Sequence, residues 1–149
     1  MTLNEGDKAP AFSANNQKGE TISLANYAGK KLVLYFYPKD DTPGCTKEAC
    51  SLRDNYKALL KQGYEILGVS PDNEKKHQKF IDKYELPFDL LADTDQTVAN
   101  AYGVWVEKNM YGRKYMGIAR TTFIIDEKGV ISEIIKKVDT AAHAEQILK

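Results

Sequence analysis

The chain has 149 residues, in which 21 lysines and arginines balance 21 aspartates and glutamates. This length suits one domain with a single core, which we expect to span residues 1–149. A formal net charge of zero argues against a nucleic-acid or anionic-membrane surface, since either requires a basic excess. No apolar run approaches the roughly 20 residues that cross a bilayer. Residues 1–10 lack the apolar stretch of a signal peptide, so a cytoplasmic protein is expected.

The hydrophobic pattern of the first half alternates strands with a helix. A turn at residues 15–20, followed by alternating polar and apolar residues at 21–24, predicts an N-terminal hairpin. The continuous apolar run at 31–38 predicts a central strand that is buried on both faces. Apolar residues at three- and four-residue spacing predict a helix over 45–62, which Gly63 ends.

Shorter elements follow in the second half. We predict strands at 64–70, 88–91, 121–126 and 130–138, the last two antiparallel, and helices at 71–84, at 94–102 and from Thr140 as N-cap to 149. Residues 103–117 are predicted to form an aromatic-rich loop. The resulting β-α-β-α-β-β-α order is that of a thioredoxin-like α/β fold. We therefore expect a central mixed sheet flanked by helices, with an N-terminal hairpin extension.

The only two cysteines, Cys45 and Cys50, lie where the strand at 31–38 passes into the helix at 45–62. In the cytoplasm such a pair is more often catalytic, redox-active or metal-binding than a structural disulfide. The unpaired N–H groups and the positive dipole end of a first helical turn stabilise a thiolate at Cys45. A small core residue explains Cys45 about equally well, because it shares an apolar stripe with Ala49.

The residues just before Cys45 favour the functional interpretation. Pro43 and Gly44 suit a tight turn that lifts the thiol onto the helix end. Thr42 offers a hydroxyl to the thiolate or to a bound substrate. Pro38 ends the strand at a point where it can shield the sulfur from water. Each residue alone is explained by turn chemistry, whereas the combination favours a reactive thiol.

The spacing of Cys45 and Cys50 restricts how they can pair. Five residues along an α-helix separate two Cα atoms by roughly 8–9 Å, whereas a disulfide needs about 7 Å or less. The two cysteines therefore either never pair, or the first helical turns unwind when they do. Cys50 lies about 140° from Cys45 around the helix, off the apolar stripe, which disfavours a core role. A redox pair could use the unwinding as a switch.

A metal site fits the sequence poorly. Zinc takes about four ligands, and the chain offers two cysteines and two histidines. We interpret His77 as a packed histidine on the helix at 71–84 and His143 as a solvated residue near the last helix. We expect neither a metal nor a cofactor.

Arg120 stands immediately before the strand at 121–126. If that strand runs antiparallel beside the one at 31–38, its start reaches the edge that carries Cys45. There the guanidinium could hold a thiolate charged and bind a polar oxygen with its planar fork. Charge counting alone favours a surface arginine instead.

The motif Pro38-x-x-x-Thr42-x-x-Cys45 resembles the active-site motif of peroxiredoxins. With the flanking residues 35–46 and with Cys50, it is similar to the bacterioferritin comigratory protein, or peroxiredoxin Q, branch of that family. The resemblance covers nearly the whole chain, since it continues through residues 67–70, 102–105 and 120–126.

The resemblance implies a thioredoxin-dependent thiol peroxidase of the atypical two-cysteine type. Cys45 would be the peroxidatic thiolate that attacks hydrogen peroxide or an organic hydroperoxide. Thr42 and Arg120 would bind the peroxide oxygens, and Pro38 would limit solvent access. Cys50 matches the resolving cysteine, which condenses with the Cys45 sulfenic acid to an intramolecular disulfide that thioredoxin or a similar dithiol protein reduces. Members of this branch are mostly monomeric.

Two other functions are weighed against the peroxidase. A thioredoxin-like thiol–disulfide exchange module without peroxidase activity would use Cys-x-x-Cys, whereas four residues separate Cys45 from Cys50. A non-enzymatic interaction domain could use the aromatic loop with Trp105, Tyr111 and Tyr115, although packing of that loop over its own domain is favoured. Hydroperoxide loss no faster than a free thiol gives would exclude the peroxidase.

Overall fold

A seven-stranded mixed sheet forms the centre of the protein, whose computed structural model describes residues 2–148. The strands are β1 (Ser13–Asn16), β2 (Thr21–Ser23), β3 (Lys31–Phe36), β4 (Tyr64–Ser70), β5 (Asp89–Ala92), β6 (Trp105–Met110), β7 (Arg113–Ile118), β8 (Thr121–Ile125) and β9 (Ile131–Ile135). The helices are α1 (Pro43–Asp54), α2 (Tyr56–Lys61), α3 (Glu74–Tyr84), α4 (Thr97–Ala101) and α5 (His143–Ile147). None of the helices within residues 2–148 has the length and apolar character needed to cross a membrane.

The strand order in the sheet is β2-β1-β5-β4-β3-β8-β9. Strand β3 pairs parallel with β4 and antiparallel with β8. Strands β1 and β2 form the predicted N-terminal hairpin, and β8 and β9 pair antiparallel as predicted. The mixed sheet with an N-terminal hairpin is therefore confirmed, and most element boundaries agree within a few residues.

Side chains of β3 alternate between two apolar cores, one on each face of the sheet. Val33 and Tyr35 belong to the core that α1, α2, α3 and α5 cover. Leu34 and Phe36 belong to the core on the α4 side. Residues 32–36 are at most 1% exposed, which explains why this strand reads as a continuous apolar run.

The helix predicted over 45–62 is in fact two helices, α1 and α2, separated at Asn55. Asn55 has φ −111° and ψ 14°. Its side-chain nitrogen Nδ2 donates a hydrogen bond to the Ser51 carbonyl at 2.8 Å. A side chain that bonds to the backbone in this way competes with the helical hydrogen-bond ladder. The prediction of one continuous helix was wrong because the apolar spacing continues across this break.

Residues 103–117 do not form the predicted loop, since most of them build the antiparallel hairpin β6–β7, a separate two-stranded sheet. Tyr111 and Gly112 at its tip have φ of 53° and 78°, as a two-residue type I′ turn requires. Trp105 packs against the second core, as favoured from the sequence, but Tyr111 and Tyr115 are exposed. The strands were missed because few of their side chains enter a core.

The last helix begins at His143 and not after Thr140. The chain first makes a turn at Asp139, whose carbonyl accepts from the Ala142 N–H at 3.1 Å and whose side chain accepts from the Ala141 N–H. The predicted Thr140 cap was therefore wrong. The predicted solvation of His143 was also wrong, because this side chain is fully buried. His77 is packed as expected.

Gly68 of β4 provides a test of the packing around β3. A Cβ at position 68 would lie 2.7 Å from Leu90 Cδ2 and 2.8 Å from the Tyr35 hydroxyl oxygen. Both neighbours are buried and have little room to move. We expect Gly68→Ala to lower the free energy of unfolding by about 1–3 kcal/mol in urea titrations. An alanine variant as stable as the wild type would contradict this close approach.

Candidate active site

Cys45 lies in the first turn of α1, three residues after the N-cap Thr42. The sulfur-bearing side chain is only 2% exposed and belongs to the first core. The positive end of the helix dipole favours a negative charge at this position. Cys45 thus lies at the start of a helix, as predicted. Its side chain also packs in the core, so both of the alternatives weighed from the sequence are present together.

Arg120 contacts the sulfur directly, since its Nη2 donates to Cys45 Sγ at 3.3 Å. Strand β8 runs antiparallel to β3 and pairs Thr121 with Phe36, so the residue before β8 lies beside the end of β3. Gly44 leaves room for the guanidinium, because a Cβ there would lie 3.2 Å from Nη2. Arg120 is thus partly buried against Cys45 and Glu48, and the open surface position that charge counting favoured was wrong.

Glu48 holds the guanidinium from the other side. Its Oε1 accepts a 2.6 Å hydrogen bond from Arg120 Nη1, and its side chain is fully buried. A charge-assisted bond of this length fixes the direction in which Arg120 points. Sequence analysis did not assign this residue to the site. The available signal was a carboxylate three residues after Cys45, on the same face of the helix.

Burial raises the pKa of Glu48 to about 7, although the charge of Arg120 opposes the rise. Its Oε2 accepts no hydrogen bond in the part of the chain described, and His143 Nε2 lies 3.5 Å away. Burial also lowers the pKa of His143, which favours the neutral imidazole.

The proton of His143 lies on Nδ1, on the side away from Glu48. Nδ1 is 2.7 Å from Gln146 Oε1, an oxygen that can only accept, so Nδ1 donates. Nε2 is then the acceptor for the Thr122 hydroxyl at 2.8 Å. His143 consequently gives Glu48 no cation, and Arg120 is the partner that stabilises the carboxylate.

Thr42 and Pro38 lie in the loop between β3 and α1. The Thr42 hydroxyl donates to the carbonyl of Lys39 at 2.9 Å and not to the sulfur. This bond leaves the lone pairs of the hydroxyl oxygen for a further donor. Pro38 is half-buried. Of the predicted residues, Arg120 and Cys45 are in contact, while Thr42 and Pro38 share the adjoining loop.

Cys50 lies in the same uninterrupted helix as Cys45, and both are free thiols. The spacing along an intact helix keeps them too far apart for a disulfide. Burial raises the pKa of the Cys50 thiol, with Asp54 adding to the rise and Arg53 opposing it. Neither cysteine joins a group of three or more His, Cys, Asp or Glu side chains suited to a metal within residues 2–148.

The β6–β7 hairpin brings a second cation, Lys108, toward the site. The stem of Lys108 passes over Gly117, where a Cβ would lie 3.3 Å from its Cδ. Burial and the charge of Arg120 lower the pKa of the Lys108 ammonium, while a Cys45 thiolate raises it. The sequence offered no signal for this residue, because the segment was interpreted as a loop.

The chain matches the family model described as AhpC/TSA family over residues 5–134. It belongs to the AhpC/TSA family. A relative named putative peroxiredoxin bcp, from Coxiella burnetii, is 53% identical over 148 residues, which cover 99% of this chain and 98% of the relative. Peroxiredoxin Bcp of Bacillus subtilis is 46% identical and is matched over 100% of this chain and 95% of its own length.

A solved structure of the bacterioferritin comigratory protein of Xanthomonas campestris, studied for its alkyl peroxide reduction activity, superposes with a TM-score of 0.87. It is 39% identical and covers 92% of this chain and 87% of its own. The chain is therefore a peroxiredoxin of this branch, a thiol-dependent peroxidase with a thioredoxin-like fold. The predicted family, fold and enzyme class are confirmed. The alternative function, a thiol–disulfide exchange module without peroxidase activity, is rejected.

The raised pKa of Glu48 makes the stability of this peroxiredoxin depend on pH. Because the folded state binds the Glu48 proton more tightly than the unfolded state, stability falls as pH rises from about 4.5 to about 7. Glu48→Gln is neutral throughout this range. We expect the wild type to lose about 1–3 kcal/mol of unfolding free energy relative to Glu48→Gln between about pH 4.5 and pH 8. Urea unfolding at fixed salt measures the difference, and a difference that does not change with pH would exclude a raised pKa of Glu48 in the folded protein.

Proposed function

We propose that Cys45 is the peroxidatic thiol of this peroxiredoxin. The main support is the 3.3 Å hydrogen bond from Arg120 to Cys45 Sγ at the start of α1. The thiolate sulfur attacks the terminal oxygen of the hydroperoxide, so that an S–O bond forms and the O–O bond breaks. The departing oxygen takes a proton and leaves as water or an alcohol. Cys45 is oxidised to a sulfenic acid, and the peroxide is reduced by two electrons.

The surrounding side chains stabilise the charge that moves during this step. Arg120 lies beside the sulfur that loses negative charge and the peroxide oxygens that gain it, and Glu48 holds its guanidinium in place. Thr42, whose hydroxyl donates to the Lys39 carbonyl, accepts the peroxide hydroxyl through a free lone pair. Pro38 limits the access of water to the sulfur.

Cys50 is the proposed resolving thiol. The first turns of α1 unwind, the Cys50 sulfur attacks the sulfenic sulfur of Cys45, an S–S bond forms, and water leaves with the Cys50 proton. In the intact helix Cys50 stays protonated, because burial raises its pKa. Unwinding removes this burial, so the second step is coupled to the conformational change.

Thioredoxin or a similar dithiol protein is the proposed reductant. One of its thiolates attacks the Cys45–Cys50 disulfide, and the second thiol releases the mixed disulfide, which restores both cysteines. We also propose that the protein acts as a monomer in the cytoplasm and that residues 1–149 form one peroxiredoxin domain. Sedimentation of the reduced and oxidised forms measures the oligomeric state.

Replacement of each cysteine separates the two steps. Cys45→Ser should consume no peroxide above background, because the attacking sulfur is absent. Cys50→Ser should consume one equivalent of hydrogen peroxide and then stop in a thioredoxin-coupled NADPH assay. Normal thioredoxin-linked turnover of Cys50→Ser would exclude its resolving role.

Replacement of Arg120 tests the contact with the sulfur. We expect Arg120→Ala to lower the second-order rate constant for hydrogen peroxide by about a hundredfold, since the charge and the hydrogen bond to the sulfur are both lost. Arg113→Ala removes the same charge from an exposed position on β7 and serves as the matched control. Equal rates for Arg120→Ala and Arg113→Ala would place Arg120 outside the reaction.

A further inference from the structure

A buried polar cluster anchors the loop that leads to Cys45. Asp40 accepts a 2.6 Å hydrogen bond from the Tyr37 hydroxyl on one oxygen, and its other oxygen lies 2.6 Å from His77 Nδ1. His77 Nε2 lies 2.9 Å from the Leu91 carbonyl oxygen. The exposed fractions are 0% for His77, 1% for Tyr37 and 9% for Asp40. The cluster thus ties the loop between β3 and α1 to α3 and β5.

Both ring nitrogens of His77 are used in this attachment. The Leu91 carbonyl can only accept, so Nε2 carries a proton and donates it. A second proton lies between Nδ1 and Asp40 Oδ2, at a separation typical of a strong charge-assisted bond. Loss of either partner leaves a buried polar group unpaired, which is costly. The loop is therefore firmly attached at Asp40.

Neighbouring contacts hold the same part of the loop, one of them partly buried at Asp72 and the others exposed at Asp41. The Asp40 N–H donates to Asp72 at 2.7 Å. Asp41 has a left-handed φ of 57°, and its carboxylate accepts from Lys83 at 2.8 Å and from the Tyr84 hydroxyl at 2.9 Å. The exposed ion pair between Asp41 and Lys83 contributes little. The buried pair of Asp40 and His77 is the main attachment.

The segment after Asp41 is held by contacts that disulfide formation has to disrupt. The Thr46 N–H donates to the Thr42 carbonyl at 2.8 Å as the first bond of α1, and Arg120 bonds to Cys45. Cys45 and Cys50 meet only when this turn unwinds. The chain thus has an anchored part that ends near Asp41 and an unwinding part that begins at Thr42.

We infer that His77 is a positioning residue which, through Asp40, holds the fixed end of the unwinding segment and favours the conformation in which Cys45 meets Arg120. The inference rests on the proposed function, because it requires the Cys45–Cys50 disulfide. A loosened anchor shifts the loop population away from the peroxide-reactive conformation and toward the unwound one. The first step then slows and the second step accelerates, whereas general destabilisation has no reason to affect the steps in opposite directions.

The test uses single turnovers of the full-length His77→Gln protein with hydrogen peroxide. Acid-quenched samples, analysed by mass spectrometry, report the sulfenic acid and the disulfide separately. We expect the peroxide-dependent rate constant to fall about tenfold, as expected for a reacting group that is misplaced by a fraction of an ångström or more. The disulfide step should become faster than in the wild type. Asp40→Ala, which removes the contacts with both Tyr37 and His77, should shift both steps in the same directions and serves if His77→Gln does not fold.

Two control variants separate positioning from stability. Ile131→Ala removes a fully buried side chain from the core on the opposite face of the sheet, and we expect it to change each step less than about twofold. Lys83→Ala removes a surface contact of the loop and should also have a small effect. Parallel changes of both steps in His77→Gln and Ile131→Ala would overturn the inference.

The single-turnover time course of the wild type distinguishes failure of this inference from failure of the proposed function. If the wild type forms no Cys45–Cys50 disulfide, the resolving role of Cys50 is wrong and the inference is overturned with it. If the wild type forms the disulfide while His77→Gln and Asp40→Ala leave both rate constants unchanged, only the positioning role is overturned. Over-oxidation provides an independent readout, since faster resolution should lower the sulfinic acid yield of His77→Gln at high peroxide.

Discussion

The hydrogen bond between Arg120 and Cys45 is the interaction on which the rest of the site depends. The two residues are 75 positions apart, and they meet because β8 runs antiparallel to β3. If β8 ran parallel to β3, Arg120 would lie at the opposite end of these strands, away from Cys45. Gly44 leaves the space that the guanidinium occupies, and Glu48 fixes its direction. The chemistry at the sulfur is therefore a consequence of sheet topology as much as of the cysteine motif.

Helix α1 has two opposing requirements. Its intact first turn offers the dipole end that favours a thiolate at Cys45, yet the same turn keeps Cys45 and Cys50 too far apart to bond. In the proposed cycle, attack on the peroxide needs the intact helix, and formation of the disulfide needs its first turns to unwind. That cycle requires a loop held firmly enough for the first step and loosely enough for the second, which is the balance we assign to the anchor at Asp40 and His77.

Burial shapes the charges around the sulfur. Glu48 is fully buried, with one oxygen bonded to Arg120 and the other accepting from no donor within residues 2–148. Burial raises its pKa to about 7, although Arg120 opposes the rise. A carboxylate in such surroundings destabilises the fold while it orients the guanidinium. Proteins commonly accept such local costs at functional sites. His143, which is neutral, closes this side of the site without adding charge.

Local patterns in the sequence determined the element order, the apolar strand β3 and the helix that begins at the Cys45 segment, because hydrophobic periodicity and turn chemistry act over a few residues. The break at Asn55 was missed, because a side-chain hydrogen bond interrupts the helix there while the apolar spacing of the sequence continues. Only the tertiary structure revealed the surroundings of Glu48, Lys108 and His143. Their partners come from distant strands, and burial, which sets their ionisation, exists only once those strands and helices have packed together.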